Sequence, residues 1–291
     1  MIISVASGKG GTGKTTVATG LTLALEHNIQ FIDCDVEEPN AHIFLKPTIT
    51  MSEKISLPVP QADPSRCVLC GTCQEVCAYN AIAVTSQEVL IFPELCHSCG
   101  ACGLLCPHQA IDEVPHEIGT LELGNLRGAS GREISFVHGR LNPREIATPY
   151  LIRQVKGKYD TDRLVIVDAP PGTTCPVVQA IKDSQFCLLV TEPTPFGLHD
   201  LRLMVALLQK IRIPHGVVIN RCDIGDQQVE SFCSENKIPV LMRIPFSLGI
   251  ARMYSRGIPL IEIDRGYIQR FQDVFKQIEQ MVLKQDFFTR M

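Results

Sequence analysis

The amino-acid sequence predicts an α/β fold, a doubly wound and mostly parallel sheet that carries a small inserted α+β unit. Short β-branched runs alternate with stretches of helical periodicity at the N-terminus and again after residue 115. Near-continuous apolar strands separated by helices are typical of a parallel sheet covered on both faces. The alternation stops between about residues 58 and 115, where eight of the 13 cysteines lie. This interruption indicates a second unit inserted into the first.

The domain boundaries follow from where the alternation stops and resumes. We expect a discontinuous α/β domain of residues 1–57 and 116–291 and an inserted domain of residues 58–115. The proline-containing stretch from Leu57 to Pro64 is interpreted as a linker between them. A first helix is expected from about Lys14 to Glu26. The predicted strands of the larger domain are MIISVAS, IQFIDCD, RLVIVDAP, FCLLVTEP, HGVVINR and PVLMRIP.

The C-terminal stretch YIQRFQDVFKQIEQMVLKQDFF is amphipathic. Such a stretch either targets a membrane or packs on the sheet. Its polar face mixes acidic side chains with lysines, whereas helices that bind lipid surfaces carry a basic excess. The pattern therefore favours a helix that closes the sheet over a membrane-targeting helix. The apolar face consists of Phe271, Val274, Phe275, Ile278 and Val282.

Composition excludes several classes of partner. The formal net charge of −4 provides no basic field for nucleic acid or anionic lipid. The longest apolar runs are far short of the roughly 20 residues that cross a bilayer. The N-terminus lacks the basic lead of a signal peptide. Together these features predict a cytoplasmic protein without nucleic-acid binding or membrane insertion. In that compartment thiols stay reduced, so the clustered cysteines indicate metal binding.

A phosphate-binding loop is predicted at SGKGGTGKTT, between the first strand and the first helix. The pattern G-x-x-x-x-G-K-[ST] lets backbone N–H groups converge on phosphate oxygens at the positive end of a helix. In such a loop Lys14 reaches the β- and γ-phosphates of ATP, and the Thr15 hydroxyl binds Mg²⁺. The expected nucleotide-binding residues are Gly8, Lys9, Gly10, Gly11, Thr12, Gly13, Lys14, Thr15 and Thr16.

Acidic residues follow two of the predicted strands. Asp168 ends LVIVD and is expected to hold Mg²⁺ through a water molecule. Asp33 and Asp35 end the second strand, where the carboxyl ends of parallel strands face the ligand crevice. Either of them could position the attacking water, and Asp35, with Asn40 nearby, is favoured.

Two cysteine runs repeat with an offset of 29 residues, and each has the spacing C-x₂-C-x₂-C-x₃-C. This is the bacterial ferredoxin pattern, in which the fourth cysteine of each run ligates the cluster of the other run. Zinc sites favour cysteine pairs with longer spacers. One departure is Ala78, which stands where the pattern has proline. The expected ligands of two [4Fe–4S] clusters are Cys67, Cys70, Cys73 and Cys106 for one and Cys96, Cys99, Cys102 and Cys77 for the other.

Five cysteines lie outside these runs. Cys175 follows the stretch VDAPPGTT, close to the expected nucleotide site. A buried thiol is favoured there over a redox-active one. The remaining four are interpreted as core residues, namely Cys34, Cys187, Cys222 and Cys233.

The phosphate loop KGGTGKTT resembles the deviant loop of the MinD/ParA/Mrp family, which includes the nitrogenase iron protein. The resemblance implies that Lys9 crosses a homodimer interface to the partner's nucleotide, and that ATP promotes this dimer. DCDVEEPNAH is similar to the family's first switch, which gives Asp35 the water-positioning role. VDAPPGTT is similar to the second switch and contains Asp168. By the same resemblance the catalytic residues are Lys9, Lys14 and Asp35, and the residues beside adenine are Asn220, Pro245 and Phe246.

Three functions remain open from the sequence. The first is an ATP-gated electron donor that reduces a partner protein through its clusters. The second is an iron–sulfur carrier or assembly ATPase related to Mrp, and the third is a positioning or partition ATPase with redox-sensing clusters. Permanent ligation by eight cysteines favours the first over the second, because carriers hold clusters loosely. The chain also lacks the C-terminal C-x-x-C pair that Mrp-type carriers use.

Overall fold

A nine-stranded sheet forms the centre of the computed structural model, which describes residues 1–128 and 131–289. The strand order across the sheet is β11-β10-β9-β1-β8-β2-β7-β6-β3. Pairing is parallel from β11 to β7 and antiparallel from β7 to β3. The strands are β1 (Ile2–Ala6), β2 (Ile29–Asp33), β3 (Thr48–Ala62), β6 (Ile111–Arg127), β7 (Glu133–Leu141), β8 (Leu164–Asp168), β9 (Phe186–Thr191), β10 (His215–Asn220) and β11 (Val240–Ile244).

Helices cover both faces of the parallel part, so the predicted doubly wound α/β sheet is confirmed. They are α1 (Lys14–Ala24), α2 (Ala41–Leu45), α5 (Thr148–Lys156), α6 (Cys175–Ile181), α7 (Pro195–Lys210), α8 (Gln228–Glu235), α9 (Leu248–Tyr254), α10 (Leu260–Ile263) and α11 (Gly266–Thr289). One apolar core lies under α5, α6, α7 and α8, and a second lies under α1, α10 and α11. The strands between them are buried on both sides, which explains their near-continuous apolar sequences.

The C-terminal helix α11 packs against α1, as the amphipathic pattern predicts. Phe271, Val274, Phe275 and Ile278 are buried in the second core. The ring of Phe271 meets α1 at Gly20, where a Cβ atom would lie 2.5 Å from the ring. Within the described ranges, no helix has the length and apolar character required to cross a membrane.

An antiparallel ribbon of β3 and β6 leads from the sheet to the cysteine-rich unit. The two strands pair from Thr48 opposite Asn125 to Ala62 opposite Ile111. β7 covers β6 no further than Gly119, so the ribbon beyond this point has two strands. The prediction of a linker from Leu57 onward is wrong, because β3 continues to Ala62. Its prolines are tolerated since they lie on an edge strand.

The cysteine-rich unit is a compact duplicated structure at the end of the ribbon. Its regular elements are α3 (Thr72–Glu75), β4 (Ile82–Val84), β5 (Val89–Ile91), a 3₁₀ turn (Pro93–Leu95) and α4 (Ala101–Leu104). β4 and β5 form an antiparallel hairpin, and α3 packs against α4. The expected boundaries at residues 58 and 115 fall within the ribbon, where Pro58 pairs with Pro115.

Candidate nucleotide site and cysteine cavities

The phosphate loop follows β1 and opens directly into α1. Gly11 and Gly13 have φ angles of 77° and 97°, which residues other than glycine rarely adopt. A Cβ atom on Gly8 would lie 2.5 Å from the Cβ atom of Asp200 in α7. The loop sequence therefore allows both the left-handed turns and the close approach of α7. Because α1 begins at Lys14, the positive end of this helix points at the loop.

Asn220, predicted to lie beside adenine, braces the phosphate loop in this structure. Its side-chain amide donates to the carbonyl oxygen of Thr12 at 2.8 Å, and its amide oxygen accepts from the N–H of Arg221 at 3.0 Å. Pro245 and Phe246 follow β11 and are both exposed. The Phe246 N–H donates to Asp223 at 2.6 Å, which ties this turn to the end of β10.

Asp168 and Asp33 lie side by side at the carboxyl ends of β8 and β2, where the sheet register pairs them. Asp168 is 1% exposed, and no well-formed hydrogen bond from the described residues reaches its carboxylate oxygens, although the nearby Thr15 hydroxyl lowers its pKa. Burial is the main cause that raises the pKa of Asp168, and the nearby Lys14 ammonium opposes the rise. A buried carboxylate without partners is costly unless a cation or hydrogen-bond donor meets it.

The two acidic candidates of the second strand differ in what their carboxylates contact. Asp33 is fully buried and accepts hydrogen bonds from the N–H groups of Asp35 at 3.0 Å and Ala41 at 3.2 Å. Burial and the carboxylate of Asp168 raise the pKa of Asp33. Asp35 is partly exposed, and burial raises its pKa to about 6 against the opposing charge of Lys14. Asp33 thus fixes the backbone of the first switch, while Asp35 keeps an accessible side.

The two lysines of the phosphate loop have different surroundings. Lys14 is buried, and its ammonium lowers the pKa of both Asp35 and Asp168. Lys9 is 33% exposed, and its ammonium lies 3.6 Å from a carboxylate oxygen of Glu192, beyond the end of β9. No sequence motif points to Glu192. Its position just after a core strand is nevertheless typical of residues that face the ligand crevice of a parallel sheet.

The eight clustered cysteines line two separate cavities in the cysteine-rich unit. The cavity that contains Cys106 also has apolar walls from Val84, Val89 and Ile111. The cavity that contains Cys77 is also lined by Pro58, Pro60 and Glu113 of the ribbon. Each cavity thus receives three cysteines from one run and the fourth from the other run. The first is lined by Cys67, Cys70, Cys73 and Cys106, and the second by Cys77, Cys96, Cys99 and Cys102.

Backbone N–H groups point at the cysteine sulfurs in a pattern that follows the repeat. The Ala81 N–H donates to Cys77 Sγ and the Ala110 N–H donates to Cys106 Sγ, both at 3.3 Å. Left-handed backbone residues also occur in pairs with the repeat offset, namely Leu69 and Ser98, Gly71 and Gly100, and Asn80 and Gln109. These turns curl each loop around its cavity and direct N–H groups inward.

No group of three or more His, Cys, Asp or Glu side chains in the described residues converges on a single metal-ion position.

A short segment connects the residues that resemble the first switch with the base of the ribbon, and no motif in the sequence marks it. We define this β7–α5 loop as residues 141–148, which include the last residue of β7 and the first residue of α5. On the switch side, the Leu141 N–H donates to the carbonyl oxygen of Val36 at 2.8 Å. The Thr148 hydroxyl donates to the Glu37 carboxylate at 2.7 Å. Both contacts lie within three residues of Asp35 along the chain.

The same loop is bonded to β6 on its other side. The backbone N–H of Asn142 donates to Ile118 at 2.8 Å, and its side-chain amide donates to the Glu117 carbonyl oxygen at 3.1 Å. His116 Nε2 lies 2.8 Å from a carboxylate oxygen of Glu145. These β6 residues precede the point where β7 begins to cover the ribbon. The loop thus contacts both the first switch and the strand that leads to the cysteine unit.

Cys175 begins α6 and is exposed, so the prediction of a buried thiol is wrong. The other scattered cysteines follow the prediction more closely. Cys34, Cys187 and Cys233 are buried, and Cys222 is partly buried against the first core.

A strand, a phosphate loop and a helix in this order, with acidic residues at the ends of adjacent parallel strands, define a P-loop nucleotide-binding protein. The chain belongs to the CobQ/CobB/MinD/ParA nucleotide-binding family, whose model matches residues 3–260. This confirms the part of the resemblance that rests on the phosphate loop, and the protein is a MinD/ParA-like ATPase.

Relatives and solved structures extend this comparison. An uncharacterized protein of Methanocaldococcus jannaschii is 28% identical and covers 92% of this chain and 95% of its own length. An iron-sulfur cluster carrier protein of Methanococcus maripaludis is 22% identical over 97% of this chain and 86% of its own. The septum site-determining protein MinD of Pyrococcus horikoshii, solved with Mg-ADP, is 20% identical and has the same fold with a TM-score of 0.56. Each of these two chains covers 96% of the other.

Proposed function

We propose that this protein hydrolyses Mg²⁺-ATP, dimerises face to face when ATP binds, and couples this cycle to electron transfer through two [4Fe–4S] clusters. The observation that carries the proposal is the pair of four-cysteine cavities, joined by a hydrogen-bonded loop to the first switch of a nucleotide site. Electrons would pass to a partner protein that docks on the cysteine-rich unit. The two domains proposed are residues 1–57 with 116–291 and residues 58–115.

The nucleotide site fits Mg²⁺-ATP. Backbone N–H groups of the loop and the ammonium of Lys14 would hold the phosphates, and the Thr15 hydroxyl would bind Mg²⁺. The buried carboxylate of Asp168 would accept hydrogen bonds from a water on the metal. Asp35, which is partly exposed and lies near Lys14, would orient the attacking water. Beside adenine we propose Asn220, Pro245 and Phe246, as in the family resemblance.

The cysteine cavities fit iron–sulfur clusters better than single zinc ions. Four thiolates on one zinc ion lie roughly 4 Å apart, because each Zn–S bond is about 2.3 Å long. The described cysteines do not converge on one ion position in this way, and each set of four lines a cavity of its own. The crossed fourth cysteine is the arrangement that the ferredoxin spacing requires. When bound, such clusters accept and donate single electrons.

The protein's own groups would tune these sites. The N–H groups of Ala81 and Ala110, which donate to Cys77 Sγ and Cys106 Sγ, would help to orient these two ligands. The Thr72 hydroxyl, 3.4 Å from Cys70 Sγ, lowers the pKa of that thiol. Burial raises the pKa of Cys73, Cys96 and Cys102, as expected for the sides of the cavities that face away from water.

The coupling between the two sites would run through the β7–α5 loop. A change in the first switch on ATP binding moves the backbone near Val36 and Glu37, to which the loop is hydrogen-bonded. The loop in turn holds β6 at Glu117 and Ile118, next to the two-stranded ribbon. A contiguous set of bonds is the physical basis for such coupling, provided that the first switch has two states.

The decisive experiment measures iron and spectra on the whole protein. We expect anaerobically purified protein to contain about eight irons and eight sulfides per chain, and its reduced-cluster EPR signal or potential to shift when Mg²⁺-ATP is added. Two zinc ions and no iron would refute the cluster proposal. Eight irons with spectra that do not change when ATP is added would refute the coupling. The protein would then be an ATPase whose ferredoxin unit does not respond to the nucleotide.

Thr148→Val tests the coupling path itself. The substitution removes the hydroxyl that donates to Glu37 and keeps the shape of a buried side chain. We expect iron content and ATP binding to be unchanged, while the ATP-induced EPR shift falls to less than about half. The matched control is Thr22→Val in α1, which removes another buried hydroxyl, one bonded to Ala18 at 2.8 Å. Equal EPR shifts in wild type and Thr148→Val would exclude this path.

A second candidate function is that of an iron–sulfur cluster carrier or assembly ATPase. It is favoured by similarity to the iron-sulfur cluster carrier proteins of Methanocaldococcus, Methanococcus and Pyrococcus. Incubation with an apo-ferredoxin separates the two functions. Loss of iron to the acceptor on ATP addition supports the carrier, whereas transfer of electrons with all iron retained supports the electron donor.

A further inference from the structure

Glu192 lies between two cations at the carboxyl end of β9. One carboxylate oxygen is 3.6 Å from the Lys9 ammonium, and the other is 2.7 Å from the guanidinium of Arg221. The Glu192 side chain is only 10% exposed, while Lys9 and Arg221 are 33% and 48% exposed. The carboxylate is thus the fixed member of the group, and the two cations are the more accessible members.

The turn into α7 holds the backbone of Glu192 in place. The Glu192 carbonyl oxygen accepts a hydrogen bond from the Thr194 N–H at 2.8 Å, and Thr194 caps α7 by accepting from the Gly197 N–H at 3.0 Å. A Cβ atom on Gly197 would lie 2.2 Å from the Glu192 carbonyl oxygen. The position from which the Glu192 side chain extends is therefore fixed by the start of α7.

We propose that Glu192 is a positioning residue that retains Lys9 within its own protomer until ATP binds, and so sets the ATP concentration at which the dimer forms. The inference rests on the proposed function, in which Lys9 reaches the nucleotide of a second protomer. Within one protomer, the anionic partner of Lys9 is Glu192. Dimerisation then exchanges one anionic partner of Lys9 for another.

The exchange favours ATP on electrostatic grounds. A triphosphate carries more negative charge than a single carboxylate, so its oxygens can displace Glu192 from the Lys9 ammonium. A diphosphate lacks the γ-phosphoryl charge and competes less well. Arg221 weakens the retention, because it shares the negative charge of Glu192 with Lys9. The two substitutions Glu192→Gln and Arg221→Gln should therefore act in opposite directions.

The test is sedimentation velocity of the whole protein, titrated with Mg²⁺ and a non-hydrolysable ATP analogue. An ion pair of this exposure contributes little free energy, so we expect Glu192→Gln to lower the midpoint for dimerisation roughly two- to fivefold. Arg221→Gln should raise the midpoint by a similar factor. Nucleotide binding measured at protein concentrations too low for dimerisation separates these shifts from any change in affinity of the monomer.

Lys9→Ala separates failure of this inference from failure of the proposed dimer. We expect Lys9→Ala to abolish the dimer, and Glu192→Gln to have no effect in that background. If Lys9→Ala abolishes the dimer but Glu192→Gln and Arg221→Gln leave the wild-type midpoint unchanged, or shift it in the same direction, retention by Glu192 is wrong. If Lys9→Ala dimerises as the wild type does, the proposed role of Lys9 is itself wrong. Thermal unfolding of each variant identifies any that fail to fold.

Discussion

Replacing Cys77 with alanine is expected to reduce the iron content from about eight to about four per chain. Cys77 lines the cavity of Cys96, Cys99 and Cys102, although it belongs to the other run of the sequence. Loss of one of four thiolates opens that site, while the cavity closed by Cys106 keeps its complete set. Iron and sulfide analysis of anaerobically purified protein measures the effect.

Double variants show which cluster depends on Cys77. Cys77→Ala with Cys99→Ala removes two ligands from one cavity, so about four irons should remain. Cys77→Ala with Cys70→Ala removes one ligand from each cavity, so iron should fall close to zero. If each run instead ligated its own cluster, Cys77→Ala with Cys70→Ala would retain about four irons and Cys77→Ala with Cys99→Ala would retain almost none. Cys175→Ala is the matched control, because this exposed cysteine lies outside both cavities, and we expect it to retain about eight irons.

The sequence predicts the sheet and both sites because each has a local signature. Apolar strand cores, the phosphate loop and the spacing of the cysteines are encoded within short segments, so one chain suffices to identify them. The crossed assignment of Cys77 and Cys106 follows from the spacing, and it matches the two cavities. The ferredoxin nature of the unit nevertheless remains a proposal.

Other features could not be predicted, because they depend on contacts between distant segments. The pairing of Lys9 with Glu192 joins the phosphate loop to a strand end 183 residues away in the sequence. The β7–α5 loop carries no motif, and its role is visible only from its bonds to Val36 and Ile118. The prolines after Leu57 predict a linker, but an edge strand of a ribbon accommodates them, and β3 continues to Ala62.

Replacing Asp168 with asparagine should abolish ATP hydrolysis and at the same time stabilise the Mg²⁺-free protein. The carboxylate is 1% exposed, has no well-formed hydrogen bond among the described residues apart from the nearby Thr15 hydroxyl, and lies beside Asp33. Asparagine keeps the shape and removes the buried charge. We expect hydrolysis to fall at least about a hundredfold, because the metal loses its carboxylate support. The gain in unfolding free energy should be about 1–2 kcal/mol at pH 7.5.

The pH dependence of stability distinguishes this cause from a general packing effect. Burial, opposed by Lys14, raises the pKa of Asp168, and burial together with the charge of Asp168 raises the pKa of its neighbour Asp33, so the native state binds more protons than the unfolded chain above about pH 4. Stability of the Mg²⁺-free wild type should therefore fall as the pH rises through the raised pKa values of this pair. Asp168→Asn removes one of the two carboxylates, so its curve should be flatter and its Tm about 2–6 °C higher at pH 7.5.

The control for this effect is Asp162→Asn, which changes an exposed carboxylate in the turn before β8. Its Tm should follow the wild-type curve at every pH, since a solvated carboxylate pays no burial cost. Added Mg²⁺-ATP should narrow the difference between wild type and Asp168→Asn, because the bound metal gives the wild-type carboxylate its missing partner. If Asp168→Asn instead lowers the Tm without Mg²⁺, the carboxylate is satisfied by the protein alone. The argument that this site is built around a cation would then fail.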